Sequence, residues 1–299
     1  MYHSHLLINV GNNPDRPDWN ACRKWLRNLY RVHQRLCMAF PSVVPVEQER
    51  ETAYCQPFDR AKFPLLRCLL PESNACDVHH SRSGENGFLF RIDYPVDTRL
   101  GLRQPVIIVQ SAGEKEPDWR LAFGLDRDEI TGNAGFLLAA PPQPKKVSIA
   151  LDGDALVLCS PKQNPAPILS GQMVRFRLRG NPTRKVKDDS RNGKRKRINP
   201  TLEDHVAWLA AKLGEAGEFP GRMLKDENAH ENITTFAPGW AYGWRTKYEP
   251  QPSQRMQWWS VLFEGEFRVK DPAALKVLLE SGIGPGKAFG FGLLSIAPA

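Results

Sequence analysis

Five glycines fall within the eleven residues from Gly282 to Gly292, and this stretch restricts the chain's architecture more than any other. It reads Gly282-Ile283-Gly284-Pro285-Gly286-Lys287-Ala288-Phe289-Gly290-Phe291-Gly292. A backbone with so few Cβ atoms enters positive φ easily. It can come close to another polymer and aim N–H groups at phosphate oxygens. Lys287 places one point charge in the middle, and Ile283, Phe289 and Phe291 can anchor the segment from below. A tight helix-to-strand turn with no ligand is the plainer alternative. Two nucleotide-binding loops are excluded. A P-loop requires Gly five residues before the Gly-Lys pair and Ser or Thr after it. Ser281 and Ala288 stand there. No register of these glycines supplies the dinucleotide fingerprint, and both loops join strand to helix in the opposite order.

Charge is the second constraint. The net charge is +8, yet residues 175–197 hold eleven basic and two acidic side chains, a local +9. The remainder therefore sums to −1. A concentrated basic segment on a near-neutral body points to a polyanion, with a solvated loop as the bland reading. Arg175, Arg177 and Arg179 alternate with Val174, Phe176 and Leu178, which puts the three cations on one strand face. Arg184, Lys185, Lys187, Arg191, Lys194, Arg195, Lys196 and Arg197 follow in a basic loop. Six cysteines without a C-x-x-C pair read as free thiols. Cys68 and Cys76-Asp77-Val78-His79-His80 match no common zinc spacing, so no metal or other cofactor is expected. There is no run of 18 apolar residues and no signal-peptide order at the N-terminus, so a cytoplasmic protein is expected.

Along the chain, Tyr2 to Val10 reads as a strand, and Trp19 to Phe40 as one helix stopped by Pro41. Cys22, Trp25, Leu26, Leu29, Leu36, Cys37 and Phe40 form its apolar stripe. Arg23, Arg27, Arg31 and Arg35 repeat every four residues on another face. Tyr30 and His33, three apart, share one helix surface at the stripe's edge. An ordinary packed Tyr and His would look the same. Residues 43–86 read as an insertion, with a short element near Phe63 to Leu70. Strands follow at Gly87 to Tyr94 and Gln104 to Ser111, then a short element at Asp118 to Leu125. Lys146 to Leu151 and Leu156 to Cys159 look extended. Three prolines between Ser160 and Pro167 suggest a domain boundary, giving domains 1–164 and 165–299. The second domain restarts with a strand from Ile168 to Arg179. A helix follows after Asn199-Pro200-Thr201, with His205 on its packing stripe. Thr234 to Tyr248 and Gln254 to Val269 then read as strands. The last helix is opened by Asp271 as N-cap and Pro272. Each half thus reads β-α-β-β-α-β, predicting an α+β protein of two tandem ferredoxin-like domains.

Three segments together closely resemble one family. These are Leu29-Tyr30-Arg31-Val32-His33-Gln34 with Phe40-Pro41, Phe176-Arg177-Leu178-Arg179-Gly180-Asn181-Pro182, and Gly282 to Pro298. The last has Gly-hydrophobic-Gly, five residues including a lysine, and Gly-hydrophobic-Gly. The resemblance is to the CRISPR-associated endoribonuclease CasE, the RNA-processing subunit of the type I-E Cascade complex. It implies two ferredoxin-like domains that bind the hairpin of a CRISPR repeat and cut at the base of its stem without a metal. By motif the cleaving histidine falls on His33 and its tyrosine neighbour on Tyr30. The basic strand and loop, with Arg27 and Arg31, would contact RNA. So would the glycine loop, through Gly282, Gly284, Gly286, Gly290, Gly292 and Lys287. Other Cascade subunits would be partners. The chemistry expected is attack by the RNA's own 2′-hydroxyl, leaving a 2′,3′-cyclic phosphate and a 5′-hydroxyl. A non-catalytic hairpin-binding subunit and a protein scaffold docking an acidic partner are the competing classes.

Overall fold

The computed structural model describes residues 1–10, 19–40, 43–45, 56–57, 75–79, 87–94, 104–111, 113, 116–123, 137–160, 163–186, 194–198, 201–222, 230–245 and 254–299. The chain forms two compact units. One comprises Met1–Phe88, Ile92–Lys145 and Gly243–Gln254; the other comprises Leu89–Arg91, Lys146–Tyr242 and Arg255–Ala299.

The first unit carries, wholly or in part, β1 (Tyr2–Leu7), α1 (Trp19–Leu26), α2 (Leu29–Cys37), β2 (Val43–Pro45), β3 (Gln56–Pro57), β4 (Ala75–His79), β5 (Phe88–Asp93, whose Leu89–Arg91 cluster with the second unit), β6 (Val106–Ser111), α3 (Trp119–Phe123) and β7 (Lys145–Lys146). Its main sheet runs β7-β1-β6-β5. Among the four strands of the β-α-β-β-α-β order this is fourth, first, third, second, as a ferredoxin-like fold requires. β1 and β6 are antiparallel, from Tyr2 opposite Ser111 to Leu7 opposite Val106. The helices cover the sheet with Cys22, Trp25, Leu29, Val32 and Leu36, all buried. Trp119 is fixed by its Nε1, which donates to Ser4 Oγ at 2.9 Å. Within the segment read as an insertion, β2, β4 and β3 form a small sheet of their own. The element expected near Phe63 to Leu70 lies outside the described residues, as do Pro41, Cys68 and His80.

The second unit contains β8 (Ser148–Asp152), β9 (Ala155–Ser160), β10 (Gln163–Ile168), β11 (Met173–Gly180), β12 (Thr183–Val186), β13 (Lys194–Arg197), α4 (Leu202–Leu213), β14 (Gly217–Glu218), β15 (Ile233–Arg245), β16 (Gln254–Val269), α5 (Pro272–Ser281) and β17 (Leu294–Pro298). Its sheet runs β17-β11-β16, with β14 and β15 both paired to β16. The order fourth, first, third, second recurs. Val174, Phe176, Leu178, Phe263, Phe267, Leu275 and Leu279 fill the core. α4 opens on Thr201, whose Oγ1 accepts from Asp204 N, and α5 on Asp271, whose side chain accepts from Ala273 N.

By contacts, the second unit resumes at Lys146, ahead of the boundary expected at Ser160 to Pro167. The proline-bearing segment is strand β10, which pairs only with β9 at the edge of the sheet β10-β9-β8. An edge strand tolerates Pro because its outward N–H groups have no ladder partner to lose. One expectation is corrected: Trp19 to Phe40 is two helices, not one. Asn28 interrupts them and caps α2 by accepting from Arg31 N at 3.4 Å.

Candidate active site

The break at Asn28 sets the direction of α2. Besides capping the helix, the Asn28 amide pairs with a peptide group far along the chain. Its Oδ1 accepts from Trp244 N at 2.9 Å, and its Nδ2 donates to Trp244 O at 3.3 Å. α2 therefore starts at a fixed point and lays Leu29, Val32, Leu36 and Cys37 into the core. Tyr30 and His33 are left half-buried at the edge, as the stripe predicted. The His33 ring lies 6.0 Å from the Phe88 ring, tilted by 30°. Cys37, one turn on, puts its Sγ 3.5 Å from Nδ1 and 3.6 Å from Nε2. Read only as an apolar stripe position, Cys37 is a polar neighbour of the imidazole that sequence reasoning missed. The i, i+4 spacing was the available signal.

Arg27 and Arg31 are exposed, but they lie on opposite sides of the Asn28 break. The four-residue arginine repeat is therefore not one continuous helical face. Arg35 leaves it altogether: half-buried, its Nη1 donates to Ala122 O at 3.0 Å.

In the second unit, β11 shows the expected alternation, with Val174, Phe176 and Leu178 buried. The opposite face is less purely cationic than the sequence suggested. Arg175 stands across from Glu266 and Arg177 from Glu264 on β16, and Arg177 Nε lies 2.6 Å from Glu264 Oε1. Arg175 Nε also donates to Pro298 O at 3.1 Å. Those glutamates, 87 and 91 residues downstream, went unread as partners. Just past β11, the basic loop is in part a hairpin. β12 and β13 pair with Thr183 opposite Arg197, Arg184 opposite Lys196, Lys185 opposite Arg195 and Val186 opposite Lys194. Basic residues thus occupy both sides of two successive rungs, a concentration of positive charge that suits a polyanion. Lys187 and Arg191, in the connection between β12 and β13, lie outside the described residues.

A buried arginine was also missed. Arg91 is 1% exposed, and its Nη1 donates to Arg177 O, Leu293 O and Ser295 Oγ, each at 3.0 Å. It clusters with the second unit and ties the backbones of β11 and β17 beside the glycine segment.

The glycine segment runs from the end of α5 to β17. All five glycines have positive φ. Much of the close approach that they permit is to the protein itself. A Cβ on Gly292 would lie 2.6 Å from Ile283 O, and one on Gly284 2.9 Å from the Trp208 ring. Ile283 N donates to Gly292 O and Gly292 N to Arg179 O, both at 2.8 Å. Those two N–H groups are thus engaged internally. Ile283 and Phe291 are buried anchors as expected, whereas Phe289 is half-buried against Trp258, with centroids 4.3 Å apart. Lys287 opens a short 3-10 turn, Lys287–Phe289. Burial lowers its pKa below the ordinary lysine value. That makes its ammonium a better proton donor than an exposed lysine.

The profile of a family described as CRISPR associated protein matches residues 65–298. The CRISPR-associated endoribonuclease Cse3 of Thermus thermophilus is 32% identical over 208 residues, 70% of this chain and 80% of that protein. This chain belongs to the CRISPR-associated Cse3/CasE family. The Cascade subunit CasE of Escherichia coli is 30% identical over 183 residues, 59% of this chain and 80% of its own. A solved structure of Thermus thermophilus Cse3, bound to an RNA representing a pre-cleavage complex, superposes with a TM-score of 0.52 at 26% identity. The superposition covers 99% of this chain and 98% of that one.

Of the candidate residues, His33 and Tyr30 lie on α2 of the first unit. The basic hairpin, the arginine-bearing strand and Lys287 belong to the second. Among the described residues, no group of three or more His, Cys, Asp or Glu side chains is placed to hold a metal ion. No helix among them is long and apolar enough to cross a membrane.

Proposed function

We propose that this Cse3/CasE family member is a metal-independent endoribonuclease that binds the stem-loop of CRISPR repeat RNA and cuts at the base of the stem. Family membership carries this reading, with a half-buried histidine and tyrosine on one helix face and a cationic hairpin in the same chain. One matched relative is named as an endoribonuclease and another as a Cascade subunit. The RNA's 2′-hydroxyl attacks the adjacent phosphorus, the P–O5′ bond breaks, and the ends are a 2′,3′-cyclic phosphate and a 5′-hydroxyl. His33 moves a proton, taking it from the 2′-hydroxyl or giving it to the leaving 5′-oxygen. Tyr30 hydrogen-bonds the 2′-oxygen or the phosphate. Lys287 stabilises the charge that gathers on the phosphoryl oxygens. In-line placement of the nucleophile by the bound RNA contributes the orientation term. The protein acts in the cytoplasm as part of Cascade, without a cofactor.

The basic hairpin would grip the stem. Arg184 is exposed and faces Lys196 across the ladder, whereas Arg177 already has Glu264. Arg184→Ala is therefore expected to weaken stem-loop binding more than Arg177→Ala does, by about tenfold for one charge-assisted phosphate contact. It should also lower the slope of log affinity against log salt by about one. The cleavage rate at saturating protein should be unchanged. Filter binding across a salt series and single-turnover cleavage check this. A salt-insensitive affinity would instead favour a scaffold that docks protein.

A further inference from the structure

Strand β15 carries a pattern that neither stem binding nor cleavage uses. Phe236, Pro238, Trp240 and Tyr242 occupy alternate positions, with Ala237, Gly239 and Ala241 between them. Alternate residues of a strand share a face. Large rings thus line one side. This side is not core: Phe236 and Trp240 remain 42% and 43% exposed. Neighbouring β16 adds Trp259, whose ring meets that of Trp240 edge-on at 5.4 Å between centroids. Trp259 is held in orientation, because its Nε1 donates to Nε2 of buried His205 at 3.2 Å. Burial lowers the His205 pKa, which favours the neutral ring able to accept that bond.

Two guanidiniums lie over these rings. Arg197 sits 4.6 Å from the Trp259 centroid and 5.5 Å from that of Trp240, and Arg255 sits 4.5 Å over Tyr242. Arg197 is also the last residue of β13, so the aromatic face is continuous with the cationic hairpin. Exposed aromatic faces interleaved with arginines suit one ligand chemistry: unpaired bases that stack on rings while their phosphates meet cations. A duplex cannot use such a surface, since its bases are already stacked on one another. An acidic protein would satisfy the arginines but leave the rings unexplained.

We propose that the β15–β16 face is a stacking platform for unpaired nucleotides flanking the RNA stem-loop. The proposal rests on the stem-loop reading above. The test compares a blunt stem-loop RNA with the same RNA carrying a single-stranded adenosine tail of about eight nucleotides, at its 5′ end or its 3′ end. One tail should tighten wild-type binding about tenfold or more and quench tryptophan fluorescence. Trp240→Ala should remove most of that gain, and Trp240→Tyr should keep much of it. Blunt stem-loop affinity and saturated cleavage rate should be the same for all three proteins. Phe236→Ala serves as a second, independent variant. If neither tail tightens binding, or if both alanine variants keep the full gain, the platform is wrong. A Trp240→Ala protein with normal RNA affinities that fails to assemble with Cascade subunits would make this a protein-docking face and also overturn the proposal. Failure to bind even the blunt stem-loop would count against the stem-loop reading first, and the blunt arm reports it separately.

Discussion

His33→Ala is expected to lower the rate of stem-loop cleavage by about 10²–10⁴-fold, the usual contribution of a positioned proton-transfer group, while changing stem-loop affinity less than twofold. The separation follows from where the side chain sits. α2 is held by Asn28 at its start and by buried Leu29, Val32 and Leu36 along its length. The imidazole lies at the edge of that stripe, beside Phe88 and Cys37. Truncating it leaves the helix and its core contacts in place, so the fold and the cationic hairpin should persist. Single-turnover cleavage and equilibrium binding on the same RNA separate the two effects. Loss of both activities together, with a lowered melting temperature, would mark His33 as a packing residue. Tyr30→Phe should be milder, because it removes one hydroxyl and keeps the ring.

Gly292→Ala is expected to be the most destabilising single change in the glycine segment. Gly292 has φ +87°, and an added Cβ would stand 2.6 Å from Ile283 O and 3.2 Å from Ile283 N. The atoms struck are backbone, so no side-chain rotation relieves the contact. Alanine in the left-handed region costs about 1–2 kcal/mol. Displacing the Ile283 peptide strains the bond from Ile283 N to Gly292 O and the one from Gly292 N to Arg179 O, each worth about 1 kcal/mol net. A total near 3 kcal/mol would lower the melting temperature by roughly 10 °C for a domain of this size. Gly153→Ala is the control: φ is +57° with nothing within 4 Å of the added Cβ, so only the backbone term applies. Thermal denaturation of the two variants checks the contrast, and equal melting temperatures would contradict it.

What the sequence disclosed depends on the range of the interaction. The alternation of β11 was legible because the strand pleat alone dictates it. The glycine segment was located correctly, and its flanking α5 and β17 with it, because Asp271-Pro272 and the five glycines are local signals. The split between α1 and α2 was not legible. It depends on an Asn28 amide paired with Trp244, 216 residues away. The hairpin β12–β13 was hidden because two of its four rungs pair basic residues, a pattern that like charge disfavours. β10 was hidden because Pro165 and Pro167 read as a linker unless the strand is known to lie at an edge. His33 and Tyr30 were legible as neighbours from their spacing, but the Phe88 ring and the Cys37 thiol beside His33 emerge only from packing. The glycines, first seen as room for RNA, are needed in good part by Trp208 and by the Ile283 and Gly292 backbones.

The measurement that bears most directly on the central claim is cleavage of a labelled repeat stem-loop by the purified protein in EDTA, run beside the same RNA with one 2′-deoxy nucleotide at the cut. The account predicts cutting of the all-ribose RNA to a 2′,3′-cyclic phosphate and a 5′-hydroxyl, and none of the deoxy RNA, with equal binding of both. Tight binding with no cut in either, or equal cutting of both, would contradict it.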